Sequence, residues 1–126
     1  MKSRESALRL KRFEAQEKAR KVRSLEQMIR DFEVMAVDLE RQVQAEEDRT
    51  GVKDASHFNY STFAKAARQR RDNLRTSIDD LRAQLEAAMR ERDEVGAEVI
   101  ESAAPQPRDM SRGRRRHERP AIAMAR

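Results

Sequence analysis

Two segments of this chain carry apolar residues at alternating spacings of three and four, the heptad repeat of a coiled coil. Such a repeat buries a narrow seam between helices and leaves the remaining faces in solvent. Tyr60, Ala64, Ala67 and Arg71 continue the second segment's repeat backward in the same phase. The sequence therefore predicts two long helices, whose seam residues are Val22, Leu25, Ile29, Phe32, Ala36, Leu39 and Val43 in the first and Leu74, Ile78, Leu81, Leu85 and Ala88 in the second.

The two repeats fit each other if the chain turns back on itself. In an antiparallel hairpin the numbers of opposed residues add to a constant, and each a position faces a d position. One register satisfies both conditions in every layer, with Val22 opposite Ala88 and Ile29 opposite Leu81. Its midpoint falls at Ala55, in the polar stretch that separates the segments. The predicted fold class is therefore all-α, an antiparallel coiled-coil hairpin.

Residues that end and begin helices flank that midpoint. Gly51 suits the left-handed position that follows a helix, and Asp54 and Ser56 are both competent N-caps. Pro105 stops the second helix. The sequence predicts a hairpin over residues 1–104 and a disordered arginine-rich tail over 105–126. Within the hairpin, helix 1 spans about 5–50, the turn about 51–57 and helix 2 about 58–103.

Charged residues beside the seam support the same register. Acidic residues line one flank of helix 1, and arginines line the matching flank of helix 2. Each exposed ion pair contributes only about 0.2–1 kcal/mol, so these pairs select orientation more than they add stability. The predicted pairs are Glu26 with Arg82, Glu33 with Arg75, Glu40 with Arg68, and Lys21 with Glu91.

Two positions near the chain termini break this pattern of complementary charges. Lys18 falls opposite Arg92 within the seam, and Glu14 falls opposite Glu98 on its flank. Like charges at these places disfavour close packing. We therefore expect the end of the hairpin that carries the termini to be its looser end.

Catalytic and metal-binding patterns are missing from the sequence. The chain has no Cys, and its two histidines, His57 and His117, lack a partner at helical spacing. It also lacks the glycine-rich phosphate loop and the common hydrolase motifs. No apolar run approaches the roughly 20 residues of a membrane span. We expect a non-enzymatic cytoplasmic protein without cofactor, metal or membrane insertion.

Several apolar residues fall outside the predicted seam and so point toward solvent. Local drift of the seam would explain them, and so would anchors for protein partners, since aromatic residues are favoured at interfaces. The groups are Leu10 with Phe13, Val34 with Val37, and Phe58 with Tyr60 and Phe63. Self-association through Val34, Met35 and Val37 would make the chain a generic scaffold, which is one alternative function.

A second alternative rests on the distribution of charge. Residues 105–126 hold seven Arg against Asp109 and Glu118, so this segment accounts for the whole net charge of +5. Arginine-rich segments bind nucleic-acid phosphates without sequence specificity. This function is the less favoured one, because the segment has no interleaved aromatic residues and the fold is not that of a nucleic-acid reader.

Two stretches, SRESALRLKRFEAQEKARKV near the start and EEDRTGVKDASHFNYSTFAKAARQRRDNL around the turn, resemble the FliJ family of flagellar type III export proteins in its alphaproteobacterial form. The resemblance covers about residues 1–100. It implies a cytoplasmic helical hairpin recruited to the cytoplasmic face of the flagellar base. Implied partners are the hexameric flagellar export ATPase, the cytoplasmic domain of the export-gate membrane protein, and export chaperones.

The resemblance also implies where these partners bind. The segment Asn59-Tyr60-x-x-Phe63 matches the Asn-Tyr-x-x-Phe segment that opens helix 2 in the family. It implies an export-gate site at Asn59, Tyr60, Phe63, Ala67 and Leu74, and an ATPase site at Arg9, Lys11, Arg12 and Phe13. One departure weakens the second site, since family members extend helix 2 well beyond the position of Pro105.

Overall fold

The computed structural model describes residues 2–105, which form two long helices packed against each other. Helix α1 spans Lys2–Thr50 and helix α2 spans Thr62–Ala103. The predicted all-α helical hairpin is confirmed. Helix α1 begins slightly earlier than predicted, and α2 begins at Thr62 instead of near residue 58. The predicted disordered tail lies, from residue 106 onward, outside the described residues.

Helix α1 ends at the glycine that the sequence singled out. Gly51 has φ of 75°, in the left-handed region where a side chain would be strained. This conformation brings its N–H to the carbonyl oxygen of Glu47, at 2.8 Å. The bond satisfies one of the carbonyl groups that every helix leaves unpaired at its C-terminus. The prediction for Gly51 is confirmed.

Helix α2 is capped by Ser61, which corrects the predicted N-caps Asp54 and Ser56. The Ser61 hydroxyl accepts a hydrogen bond from the backbone N–H of Ala64 at 3.2 Å, the geometry of an N-cap. Asp54 instead accepts bonds from the N–H and hydroxyl of Ser56, at 3.0 and 2.7 Å. Its carboxylate is therefore used within the loop, before the helix begins.

The helices form two compact units, one of which is Glu17–Arg92 and contains the turn. Its core follows the heptad positions of both helices. Phe32, Leu85 and Met89 are half-buried and pack against this core. The buried residues of the cluster are Val22, Leu25, Ile29, Ile78, Leu81 and Ala88.

Small side chains fill the seam toward the turn. Ala36, Val43, Ala64 and Ala67 are all buried. Short side chains let helix backbones approach closely, so these positions exclude water without large apolar groups. The one buried charged residue in the described chain is Arg71, at the seam position between Ala67 and Leu74 in the repeat.

Within the described chain, the other unit combines residues 2–16 with residues 93–105. Val95 is its buried seam residue, and Leu8 and Val99 are half-buried. Polar contacts add to this sparse apolar core. Near the helix ends, the Arg4 guanidinium donates to the carbonyl oxygen of Ala104 at 2.7 Å.

The ion pairs on the acidic flank differ from the predicted ones by one heptad. On the opposite flank, the predicted contact between Lys21 and Glu91 is present at 3.9 Å. On the acidic flank, each arginine of α2 contacts the glutamate one heptad further along α1 than predicted. The observed pairs are Glu33 with Arg82 at 3.2 Å, Glu40 with Arg75 at 3.9 Å, and Glu47 with Arg68 at 4.0 Å.

The direction of helical side chains explains this shift. Every Cα–Cβ bond tilts toward its own helix N-terminus. In an antiparallel pair, Arg82 therefore leans toward the turn while glutamates on α1 lean away from it. Glu33 and Arg82 lean toward each other, whereas Glu26 and Arg82 lean apart. Facing backbone positions alone are not sufficient to predict the pairs.

The predicted like-charge contacts are relieved by lysines. Lys11 donates to Glu98 at 2.8 Å and lies 3.6 Å from Glu14, so it bridges the two carboxylates expected to repel. The hydrogen bond to Glu98 raises the pKa of Lys11 above its ordinary value. Lys18 pairs with Glu91 at 3.2 Å. Facing positions in the heptad register do not reveal these diagonal contacts.

Candidate interaction surfaces

The turn carries three aromatic residues and one amide side chain close together in sequence. We call this group the turn surface; it consists of Phe58, Asn59, Tyr60 and Phe63. Phe58 is 89% exposed, and its ring stacks on His57 with 4.7 Å between ring centroids. The Asn59 N–H donates to Nδ1 of His57 at 3.0 Å. Phe63, in the first turn of α2, is 56% exposed. Two phenylalanine rings are thus displayed in water near the start of α2.

Polar contacts fix the backbone beneath these rings. The Tyr60 hydroxyl donates to Glu47 at 2.7 Å, and Arg68 lies 5.9 Å from the centroid of the Tyr60 ring. Burial, and then the bond to Glu47, raise the pKa of Tyr60. Ser61 donates to Glu46 at 3.0 Å. Contacts from both helices therefore anchor the turn surface, which lowers the entropy cost of binding through it.

Two residues of the implied export-gate site lie elsewhere. Ala67 is only 3% exposed and belongs to the seam, so its side chain faces α1 and not the surface of the hairpin. Leu74 is half-buried, and one edge of it lines a groove beside the seam. The resemblance implied contacts at Phe63 and at residues further along helix 2, which include Ala67. The heptad phase assigns Ala67 to the buried side.

The implied ATPase site forms a basic surface on α1, which consists of Arg9, Leu10, Arg12 and Phe13. All four are exposed, with Leu10 at 69% and Phe13 at 60%. Lys11 is not part of this surface, because its ammonium group is held by Glu98. The surface combines two apolar side chains with two guanidinium groups, a combination suited to an acidic partner that also offers an apolar contact.

A third surface lies on the middle of α1, where Met28, Val34, Met35 and Val37 are each at least 41% exposed. Val34 and Val37 were predicted to point outward. Met28, and Ile100 on α2, were missed as exposed apolar residues. Both lie beside a seam position in the heptad, and a count of all apolar residues outside a and d would have found them.

Two open grooves run beside the seam in the Glu17–Arg92 unit. One has an apolar floor of Ala36, Val37 and Ile78, with Glu33, Glu40 and arginines of α2 along its rim. The other is lined by Met35, Leu39 and Leu74 with polar neighbours. Neither encloses a water-excluded pocket of the kind that small-molecule sites normally use.

Within residues 2–105 no group of three His, Asp or Glu side chains could hold a metal ion. In the same range no helix has the apolar length needed to cross a bilayer.

Comparison of the chain with protein-family models, curated proteins and solved structures finds no match.

Proposed function

We propose that this chain is a non-enzymatic coiled-coil component of a flagellar type III export apparatus, as its resemblance to the FliJ family implies. In this role it binds the export ATPase and the cytoplasmic domain of the export-gate protein, and it handles export chaperones at the cytoplasmic face of the flagellar base. The observation that carries the proposal is the turn surface, where Phe63 is displayed at the position that the resemblance assigns to the gate.

Charge and burial support two separate binding sites. The turn surface offers the exposed rings of Phe58 and Phe63 beside Tyr60, whose hydroxyl bonds Glu47, whereas the basic surface offers Phe13 beside arginines. Exposed aromatic side chains often dominate binding energy when a partner buries them. We therefore assign the gate protein to the turn surface and the ATPase to the basic surface.

Two matched substitutions test this assignment. Phe63→Ala should weaken binding to the gate domain by about tenfold or more and leave ATPase binding unchanged. Phe13→Ala should do the reverse. Binding of the full chain to each purified partner from the same organism is measured by calorimetry, and circular dichroism checks helicity. Ile100→Ala, which removes an even more exposed apolar residue outside both surfaces, serves as the control.

Failure of the unchanged chain to bind either partner would overturn the proposed function. If both partners bind but Phe63→Ala and Phe13→Ala have equal effects on each, the function stands and the two-site assignment is wrong.

A further inference from the structure

His57 lies in the turn between α1 and α2, and three hydrogen bonds of the turn involve it. Its N–H donates to the carbonyl oxygen of Asp54 at 3.0 Å, and its carbonyl oxygen accepts from the N–H of Tyr60 at 3.0 Å. The side chain adds a third bond, because Nδ1 accepts from the N–H of Asn59 at 3.0 Å. We call this third bond the turn lock.

The turn lock depends on the protonation state of the imidazole. A neutral imidazole accepts a hydrogen bond at one of its nitrogens, whereas both nitrogens of an imidazolium carry a proton and can only donate. The contact with Asn59 therefore requires a neutral His57 ring with its proton on Nε2. Protonation of Nδ1 would set two N–H groups against each other, so the bond would be lost. Histidine side chains ordinarily change charge between about pH 5 and 8.

The surroundings of His57 leave its imidazole open to protonation. The residue is exposed, and Asp54 in the same turn interacts with it electrostatically. The Asp54 carboxylate is already bonded by the N–H and hydroxyl of Ser56. Charged groups of the adjoining segments have other partners: Glu46 with Arg49, Glu47 with Tyr60, Arg68 with the Tyr60 ring, and Lys53 with Asp48.

The turn lock lies within the turn surface. The His57 ring stacks on Phe58 with 21° between the ring planes, and Asn59 is the next residue along the chain. Loss of the lock would leave the N–H of Asn59 to water and remove the side-chain restraint on the backbone of residues 57–60. A partner that binds a loosened turn must first order it, which costs conformational entropy.

We propose that His57 is a pH-sensitive switch of the turn: its neutral imidazole holds the turn surface ordered for binding, and protonation releases it. Binding through the turn surface should therefore weaken as pH falls through the range in which His57 takes up a proton. The identity of the partner as the export-gate protein rests on the proposed function, whereas the turn lock itself does not.

Two substitutions separate the hydrogen bond from the ring. His57→Asn places an amide oxygen near the position of Nδ1, and asparagine side chains commonly accept from the N–H two residues further on. Because this acceptor does not titrate, the lock should hold at every pH. His57→Ala removes the acceptor, so the lock should be missing at every pH. The matched control is His117→Gln, which changes the other histidine of the chain.

The first experiment needs no partner. Backbone order parameters of the full chain are measured by ¹⁵N NMR relaxation at about pH 7.5 and about pH 5.5, near the two ends of the ordinary histidine range. For Phe58 and Asn59 they should fall at the lower pH in the unchanged chain and in His117→Gln. They should stay high at both pH values in His57→Asn and low at both in His57→Ala. Unchanged order at both pH values in the native chain would overturn the lock.

The second experiment measures binding of the full chain to the purified gate domain by calorimetry at the same two pH values. The unchanged chain should lose about three- to tenfold in affinity at the lower pH, the usual effect of one hydrogen bond. Any pH dependence that remains in His57→Asn belongs to the gate domain and is subtracted.

The two experiments distinguish failure of the switch from failure of the proposed function. Equal pH dependence of binding in the unchanged chain and His57→Asn would overturn control of binding by His57. If no chain binds the gate domain, the proposed function is contradicted, and the relaxation measurement still decides whether the turn lock exists.

Discussion

At the scale of single residues, Arg71 departs most from the pattern of the fold. It occupies a seam position where the repeat calls for an apolar residue, and it is buried. Its guanidinium is paired with Glu40 and donates to Asp72 at 3.1 and 2.9 Å, so its charge is compensated. The hydrogen bond to Glu40 raises the pKa of Arg71 above its ordinary value. The aliphatic part of the side chain can still fill the seam.

We predict effects of different size on the free energy of unfolding for two substitutions at this site. Arg71→Ala should lower the free energy of unfolding by about 1–3 kcal/mol, because it removes both the packed stem and the partner of Glu40. Arg71→Met keeps most of the packed volume but also removes the partner of Glu40, so it should lower the free energy of unfolding by less than Arg71→Ala does. Chemical denaturation measures both.

The exposed neighbour Arg70 provides the control for this site. Arg70→Ala should change the free energy of unfolding by less than about 0.5 kcal/mol. Equal losses for Arg70→Ala and Arg71→Ala would show that burial of Arg71 has no energetic role.

At the scale of the secondary-structure elements, the start of α2 shows how one side chain can fix a helix boundary. The Ser61 hydroxyl accepts from the N–H of Ala64 and donates to Glu46 on α1. It therefore begins α2 and ties that beginning to the other helix. The hydrogen bond from Arg49, followed by the one from Ser61, lowers the pKa of Glu46.

We predict that Ser61→Ala lowers the free energy of unfolding by about 1 kcal/mol through loss of the N-cap. It should also raise the pKa of Glu46 toward its ordinary value of 4.5 in a carboxyl NMR titration. Because the folded pKa of Glu46 is depressed, its contribution to stability is present above the unfolded pKa and is lost as pH falls through the folded pKa.

The size of the Ser61→Ala effect should therefore shrink in acid, once Glu46 is protonated. Ser56→Ala, in the loop before α2, is the control and should leave the pKa of Glu46 unchanged. An unchanged Glu46 pKa in Ser61→Ala would contradict the role given to the Ser61 hydroxyl.

At the scale of the whole molecule, a single register of the two helices must bring the apolar residues of every seam layer together. A shift by one residue would move the apolar side chains out of the seam, and a shift by one heptad would change every pair. Ile29 and Leu81 lie in one buried cluster, as the register requires.

We predict that the double variant Ile29→Cys/Leu81→Cys forms a disulfide within one chain on mild oxidation. Opposed seam positions approach closely enough for the bond, and no other Cys competes. Mass spectrometry and denaturing electrophoresis of dilute protein distinguish crosslinks within and between chains. The pair Ile29→Cys/Ile78→Cys, which joins residues of different layers, should oxidise more slowly. A product made only of linked chains would contradict the hairpin.

The sequence by itself determined the helical hairpin, because a three-four apolar repeat leaves only one face of each helix to bury. It also determined the end of α1, since Gly51 alone tolerates the left-handed conformation there. It did not determine the N-cap of α2: Asp54 and Ser56 were predicted, whereas the path of the loop gives that place to Ser61, a residue of equally suitable type.

Only the tertiary structure decided which charged side chains pair across the seam. The tilt of each Cα–Cβ bond toward its helix N-terminus shifts the Glu–Arg pairs by one heptad and lets Lys11 bridge Glu14 and Glu98. Such contacts depend on the directions in which long side chains point. The heptad repeat of the sequence does not give these directions.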